Sequence, residues 1–184
     1  MRQSANSANS AKIAVCGILT ALSLVALILA GFLGVMTYAA PMLVGGIMIV
    51  PVKEYGTKTA VTMFTAVSLL GIMLVTDKEL AFFYLMLFGH YPILQPYINR
   101  LSSRLVRFFI KAAIFNGCSV LAIWLASVVM AVPVFDTDNP IWLVLLFYFV
   151  VGNFAFVFYD HALWEFFALY DAKLRVFLRK FVKF

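Results

Sequence analysis

Six apolar stretches separated by short polar gaps carry most of this chain: Lys12–Gly34, Thr37–Val52, Thr59–Val75, Glu79–Leu94, Phe108–Val132 and Pro140–Tyr159. A helix crosses a bilayer core with about 20 apolar residues, and about 17 to 25 is the usual range. The first stretch meets that length outright. The second is short and holds Pro41 near its start and Pro51 near its end, and the fourth is stopped by Pro92 and Pro96. Runs this long and this apolar predict helices in lipid, where every backbone polar group has to be satisfied within the segment. The pattern therefore predicts an all-α integral membrane protein of six transmembrane helices.

Charge orients these segments. Of the 14 Lys and Arg residues, all but Lys78 fall in alternate gaps: Arg2 and Lys12, then Lys53 and Lys58, then Arg100, Arg104, Arg107 and Lys111, then Lys173, Arg175, Arg179, Lys180 and Lys183. The intervening gaps hold Asp77, Lys78, Glu79, Asp136 and Asp138. Short loops rich in Lys and Arg stay cytoplasmic, which places both termini inside and residues 76–79 and 133–139 outside. An even number of spans puts both termini on one side and so agrees with this arrangement, and hydropathy and charge are independent signals.

Composition narrows the class. Hydrophobic residues make up 65% of the chain and charged residues 12%, far from globular averages. Three regions are expected: a frayed N-terminal segment 1–10 with Ser-Ala-Asn twice over, a single membrane domain 11–170, and a basic amphipathic cytoplasmic tail 171–184. The N-terminus lacks the short apolar core and cleavage site of a secretory signal. The net charge of +6 is spread along cytoplasmic edges with no RNA-binding aromatic motif, so the anionic neighbour is the lipid bilayer and not nucleic acid. Cys16 and Cys118 lie in apolar runs, as small packing residues do, and neither a disulfide nor a metal site is expected.

Two segments have amphipathic spacing beyond the spans. In Gln95–Arg107 the residues Tyr97, Ile98, Leu101 and Leu105 recur at helical spacing between Asn99, Arg100, Ser103, Arg104 and Arg107. In the tail, Leu174, Phe177, Leu178 and Phe181 do the same against five bases. Both predict interfacial helices that lie on anionic lipid or dock a cytoplasmic partner. Within the spans, Asn116 and Asn153 sit at comparable depth and are expected to bond to each other. Asp160 or Glu165 is expected to pair with Arg104, Arg107 or Lys111, and His90 is expected to be structural.

The first segment carries small residues at Ala14, Gly17 and Ala21, and again at Ala26, Ala30 and Gly34. Gly17/Ala21 and Ala26/Ala30 are four apart, so each pair falls on one helix face and admits another helix closely. Such a face packs against the protein's own helices or docks a separate subunit. With Ala-Lys-Ile-Ala-Val-Cys-Gly-Ile-Leu-Thr-Ala-Leu-Ser-Leu-Val at 11–25, six spans in under 200 residues and both ends inside, the chain resembles the S components of energy-coupling factor (ECF) vitamin transporters. The resemblance rests on architecture and the first span. It implies a substrate-binding subunit in the bacterial plasma membrane. It also implies docking through Ala14, Gly17 and Ala21 on a transmembrane coupling subunit served by cytoplasmic ATPases. Ile18 departs from a strict small-residue series, which makes Gly17/Ala21 the better pair.

The resemblance further implies a site open to the outside for a small nutrient, a vitamin or precursor. The residues available there are Tyr38, Lys78, Tyr84, Trp124 and Trp142, an aromatic set beside one cation. Lys78 also has a local reading, an ion pair beside Asp77 and Glu79, and interfacial aromatics occur in any membrane protein. No cofactor is implied. No Gly-x-Ser-x-Gly, His-Glu-x-x-His or paired-carboxylate motif appears inside a span, so an enzyme is not expected. The alternative is a structural or assembly subunit of the MreD type, which needs no ligand.

Overall fold

The computed structural model describes residues 2–34, 36–129 and 141–175. It is all-helical. The order is α1 (Arg2–Leu33), α2 (Ala39–Ile47), α3 (Ile49–Glu54), α4 (Thr57–Leu74), α5 (Lys78–Phe83), a π turn (Tyr84–Phe88), α6 (Tyr91–Ile98), α7 (Arg104–Val129), α8 (Ile141–Leu169) and a second π turn (Tyr170–Leu174). Among the described residues three stretches are long and apolar enough to cross a membrane: Ser10–Leu33, Thr57–Leu74 and Arg104–Leu125. The sixth apolar stretch lies on α8, a helix of 29 residues. The expected outer loop 133–139, with Asp136 and Asp138, and the tail beyond Arg175 lie outside the described residues.

The second and fourth stretches each fold in pieces, and proline chemistry explains where they break. A proline ring collides with the carbonyl four residues back and offers no N–H. Pro51 does this at Ile47, where α2 ends, and Met48 closes the turn by donating to Gly45 O at 3.1 Å. Pro92 does it at Phe88, the last residue of the π turn. There Gly89 donates to Tyr84 O at 2.7 Å, and α6 starts afresh at Tyr91. Pro92 therefore begins a helix where the sequence pattern has it end one. α1 ends by a different device: Gly34 takes φ +63°, the left-handed conformation that closes a helix, and its N–H reaches Ala30 O at 3.1 Å.

The amphipathic stretch Gln95–Arg107 is not one helix. After Ile98 the bonds tighten to three-residue spacing, Arg100 N to Tyr97 O and Leu101 N to Ile98 O. Ser103 then starts α7, its carbonyl accepting from Arg107 N at 3.1 Å and its hydroxyl from Val106 N at 3.5 Å. A serine bonds the backbone better at a helix start than inside one, so the chain breaks and restarts there.

The chain divides into two compact units, Met1–Leu94 with Leu163–Phe184, and Gln95–Ala162. In the first, Leu27, Val44, Met48, Ala60, Val67, Val75, Leu80 and Tyr84 form a common buried core. A Cβ built on Gly71 would meet Leu27 at 3.9 Å, and one on Gly31 would meet Val75 at 3.2 Å. Both pairs are 44 residues apart, so α1 and α4 run parallel. In the second unit Lys111 pairs with Asp160, Phe115 with Phe156 and Asn116 with Asn153. One number rises as the other falls, so α7 and this part of α8 run antiparallel.

Candidate functional site

At one end of the first unit, residues from three apolar stretches and their gaps meet. Asp77 caps α5, its Oδ1 accepting from Glu79 N at 3.0 Å and Leu80 N at 3.2 Å, with Glu79 in the first turn at the positive end of the helix dipole. Thr37 Oγ1 donates to Asp77 Oδ2 at 3.4 Å. Lys78 Nζ donates to Ile72 O at 2.8 Å and Val75 O at 2.9 Å, so its ammonium satisfies carbonyls left over at the end of α4. Tyr38 precedes α2, exposed on one side and tilted against Phe83 with ring centroids 4.9 Å apart.

Of the five ligand candidates, Tyr38 and Lys78 thus flank this one corner. Tyr84 is buried in the core against Phe64, and its hydroxyl has no hydrogen-bond partner among the described residues. Trp124 stands exposed on α7 in the second unit. Trp142 is in the first turn of α8, and its side chain lies outside the described residues. The three docking candidates share one face: Ala14, Gly17 and Ala21 are all exposed on α1. A Cβ on Gly17 would meet nothing within 4 Å. Ile13, Ile18, Leu22 and Val25 are exposed beside them. Ala30, by contrast, is buried and Ala26 packs against the core. The two small-residue faces of α1 therefore part company, the second used within the unit and the first turned away from it.

The other end of the first unit is ionic. Lys53 pairs with Asp171 at 2.6 Å and lies 5.3 Å from the Phe167 ring centroid. The Glu54 side chain is almost fully buried, pairs with Arg175 at 2.8 Å and accepts from Tyr170 Oη at 3.3 Å. Lys12 stands 5.8 Å over the Tyr55 ring. Burial pushes the Tyr170 phenol up from its ordinary range, helped by the Glu54 carboxylate. Tyr55 moves the same way, by burial first and then by Cys16 and Glu54. Sequence reading left out Glu54 and Tyr170, because their partners are more than a hundred residues away.

The second unit holds two polar links. Lys111 Nζ reaches both Asp160 oxygens, at 2.8 and 2.7 Å, and Gln95 Nε2 donates to Asp160 Oδ1 at 2.7 Å and to its carbonyl at 2.9 Å. Gln95 is only 1% exposed, a buried amide that the sequence reading did not single out. Asn116 and Asn153 exchange two amide bonds of 2.9 Å each, as their matching depth predicts. Among the described residues no three His, Cys, Asp or Glu side chains gather as metal ligands. Compared with protein-family models, with curated proteins and with solved structures, the chain matches none of them.

Proposed function

We propose that this chain is the substrate-binding subunit of an ECF-type transporter. It is a multi-pass protein of the bacterial plasma membrane with six spans and both termini cytoplasmic. It captures a small nutrient from outside and docks on a coupling subunit through α1. The observation that carries the reading is the outward face of α1. Ala14, Gly17 and Ala21 lie there exposed, and among the described residues nothing comes within 4 Å of a Cβ built on Gly17. Small residues permit close helix–helix approach, a contact that lipid tails replace poorly.

The two ends of the first unit support the topology. Lys12, Lys53, Asp171 and Arg175 gather at one end, while Thr37, Asp77 and Lys78 gather at the other. The first group contains residues from three of the base-rich gaps assigned to the cytoplasm. Tyr38, with its ring half open on Phe83, then faces outside and is the first-unit residue best placed to meet a nutrient.

One observation favours the alternative, a structural subunit of the MreD type. Lys78 and Tyr84 are used by the fold itself, one as a cap and one as core. Purification from the native membrane separates the two readings. A transporter subunit brings a membrane coupling protein and ATPases with it, and Gly17→Leu or Ala21→Leu releases them while thermal stability is kept. Variants that stay bound to the same partners, or wild-type protein that brings no ATPase, overturn the proposal.

A further inference from the structure

Between Glu79 and Asp136 the sequence contains no carboxylate, and it places Arg100, Arg104, Arg107 and Lys111 in that interval. The structure treats these four bases differently. Lys111 is neutralised by Asp160, just as Lys53 and Arg175 are by Asp171 and Glu54. Among the described residues none of the three arginines meets a carboxylate. Arg100 and Arg104 are exposed, Arg100 lying 5.4 Å from the Tyr97 ring centroid, and Arg107 is half-buried, with Nη1 donating to Asn99 O at 3.3 Å.

Every residue from Arg100 to Val106 is exposed, and the apolar ones are large. Leu105 is 71% exposed, Phe109 66% and Phe108 57%. These three share one face of α7 over the first two turns of the apolar stretch that begins at Arg104. Arg104, four residues before Phe108, borders this face, and Arg107 stands about a quarter turn away from Phe108. Uncompensated cations at the top of a span, with aromatic and aliphatic side chains directly beneath, mirror an anionic phospholipid: phosphate above, acyl chain below. A guanidinium can hold a phosphate through two parallel N–H bonds, and juxtamembrane bases are drawn to anionic headgroups.

We propose that Arg100, Arg104 and Arg107, with Leu105, Phe108 and Phe109, form a binding site for an anionic phospholipid. The arginines hold the headgroup phosphate and the apolar side chains lie along its acyl chain. The inference rests on placement in a membrane and is independent of transport.

The test uses the full chain purified in neutral detergent. It is titrated separately with phosphatidylglycerol, phosphatidylcholine and inorganic phosphate, and bound molecules are counted by native mass spectrometry. At an anionic surface each base adds roughly fivefold, so three arginines give phosphatidylglycerol a preference of about a hundredfold over phosphatidylcholine. Arg104→Gln, at an exposed position with no hydrogen bond among the described residues, lowers the preference about fivefold. Arg104→Gln with Arg107→Gln leaves about fivefold, and the double lysine variant keeps most of it. Equal binding of the two lipids overturns the proposal, as does a preference untouched in the glutamine variants. Inorganic phosphate binding as tightly as phosphatidylglycerol would assign the arginines to a soluble anion. An acidic protein retained through them in place of lipid would make them a protein contact.

Discussion

Asn116 on α7 and Asn153 on α8 each donate an amide N–H to the other's carbonyl oxygen at 2.9 Å, and each spends its second N–H on the backbone carbonyl four residues earlier on its own helix. Asn116→Leu or Asn153→Leu should each destabilise the protein by about 0.6 to 1.7 kcal/mol, the average and the largest value for hydrogen bonds between membrane helices. The double variant should cost less than the two losses added, because neither amide is then left half-satisfied. Thermal unfolding in detergent measures the cycle, and strict additivity would show that the two amides do not depend on one another.

Lys111 and Asp160 are mostly buried, and Gln95 is bound to the same carboxylate. Removing one partner leaves an uncompensated charge, at a cost of about 3 kcal/mol. Lys111→Met should therefore lower the melting temperature far more than Arg104→Met, whose side chain is exposed and pairs with no carboxylate among the described residues. Equal losses would mean that the pair contributes no more than a surface charge.

A Cβ at Gly89 would lie 2.8 Å from Phe64 Cε2, Tyr84 Cζ and Tyr84 O, one of which is backbone and cannot swing away. Gly89→Ala should cost about 1 to 3 kcal/mol, the usual penalty for overpacking. Tyr84→Phe at the same contact should instead raise stability by about 1 kcal/mol, since it removes a buried hydroxyl with no partner among the described residues. A loss of stability in Tyr84→Phe would show that the hydroxyl is satisfied, for example by a trapped water.

Tyr170 and Tyr55 hold their protons above the ordinary phenol range. A raised folded-state value means that folding favours the protonated form. The contribution is complete below the unfolded value of about 10 and is lost as pH climbs beyond it. Ultraviolet titration should show these two phenols ionising later than exposed tyrosines. Tyr170→Phe should flatten the loss of stability above pH about 10. An unchanged alkaline profile in that variant would remove Tyr170 as its cause.

Hydropathy and residue type alone determined the helical class, since lipid leaves a backbone little choice. They also anticipated the Asn116–Asn153 pair, because two amides at equal depth in apolar helices have few other partners, and the pairing of Asp160 with Lys111, one of three bases within reach. The breaks at Met48 and Gly89–His90 required knowing which carbonyl each proline would strike, so the second and fourth stretches read as single spans. What only the tertiary structure decided are contacts whose sequence separation no local pattern encodes. Glu54 finds Arg175 and Tyr170 across more than a hundred residues. Gln95 is buried on Asp160 although its neighbours read as an interfacial helix. Two equivalent small-residue faces of α1 diverge because α4 packs beside Leu27 and Gly31, which turns Ala30 inward and leaves Gly17 and Ala21 open. Periodicity fixes which residues share a face, and packing alone decides which face is covered.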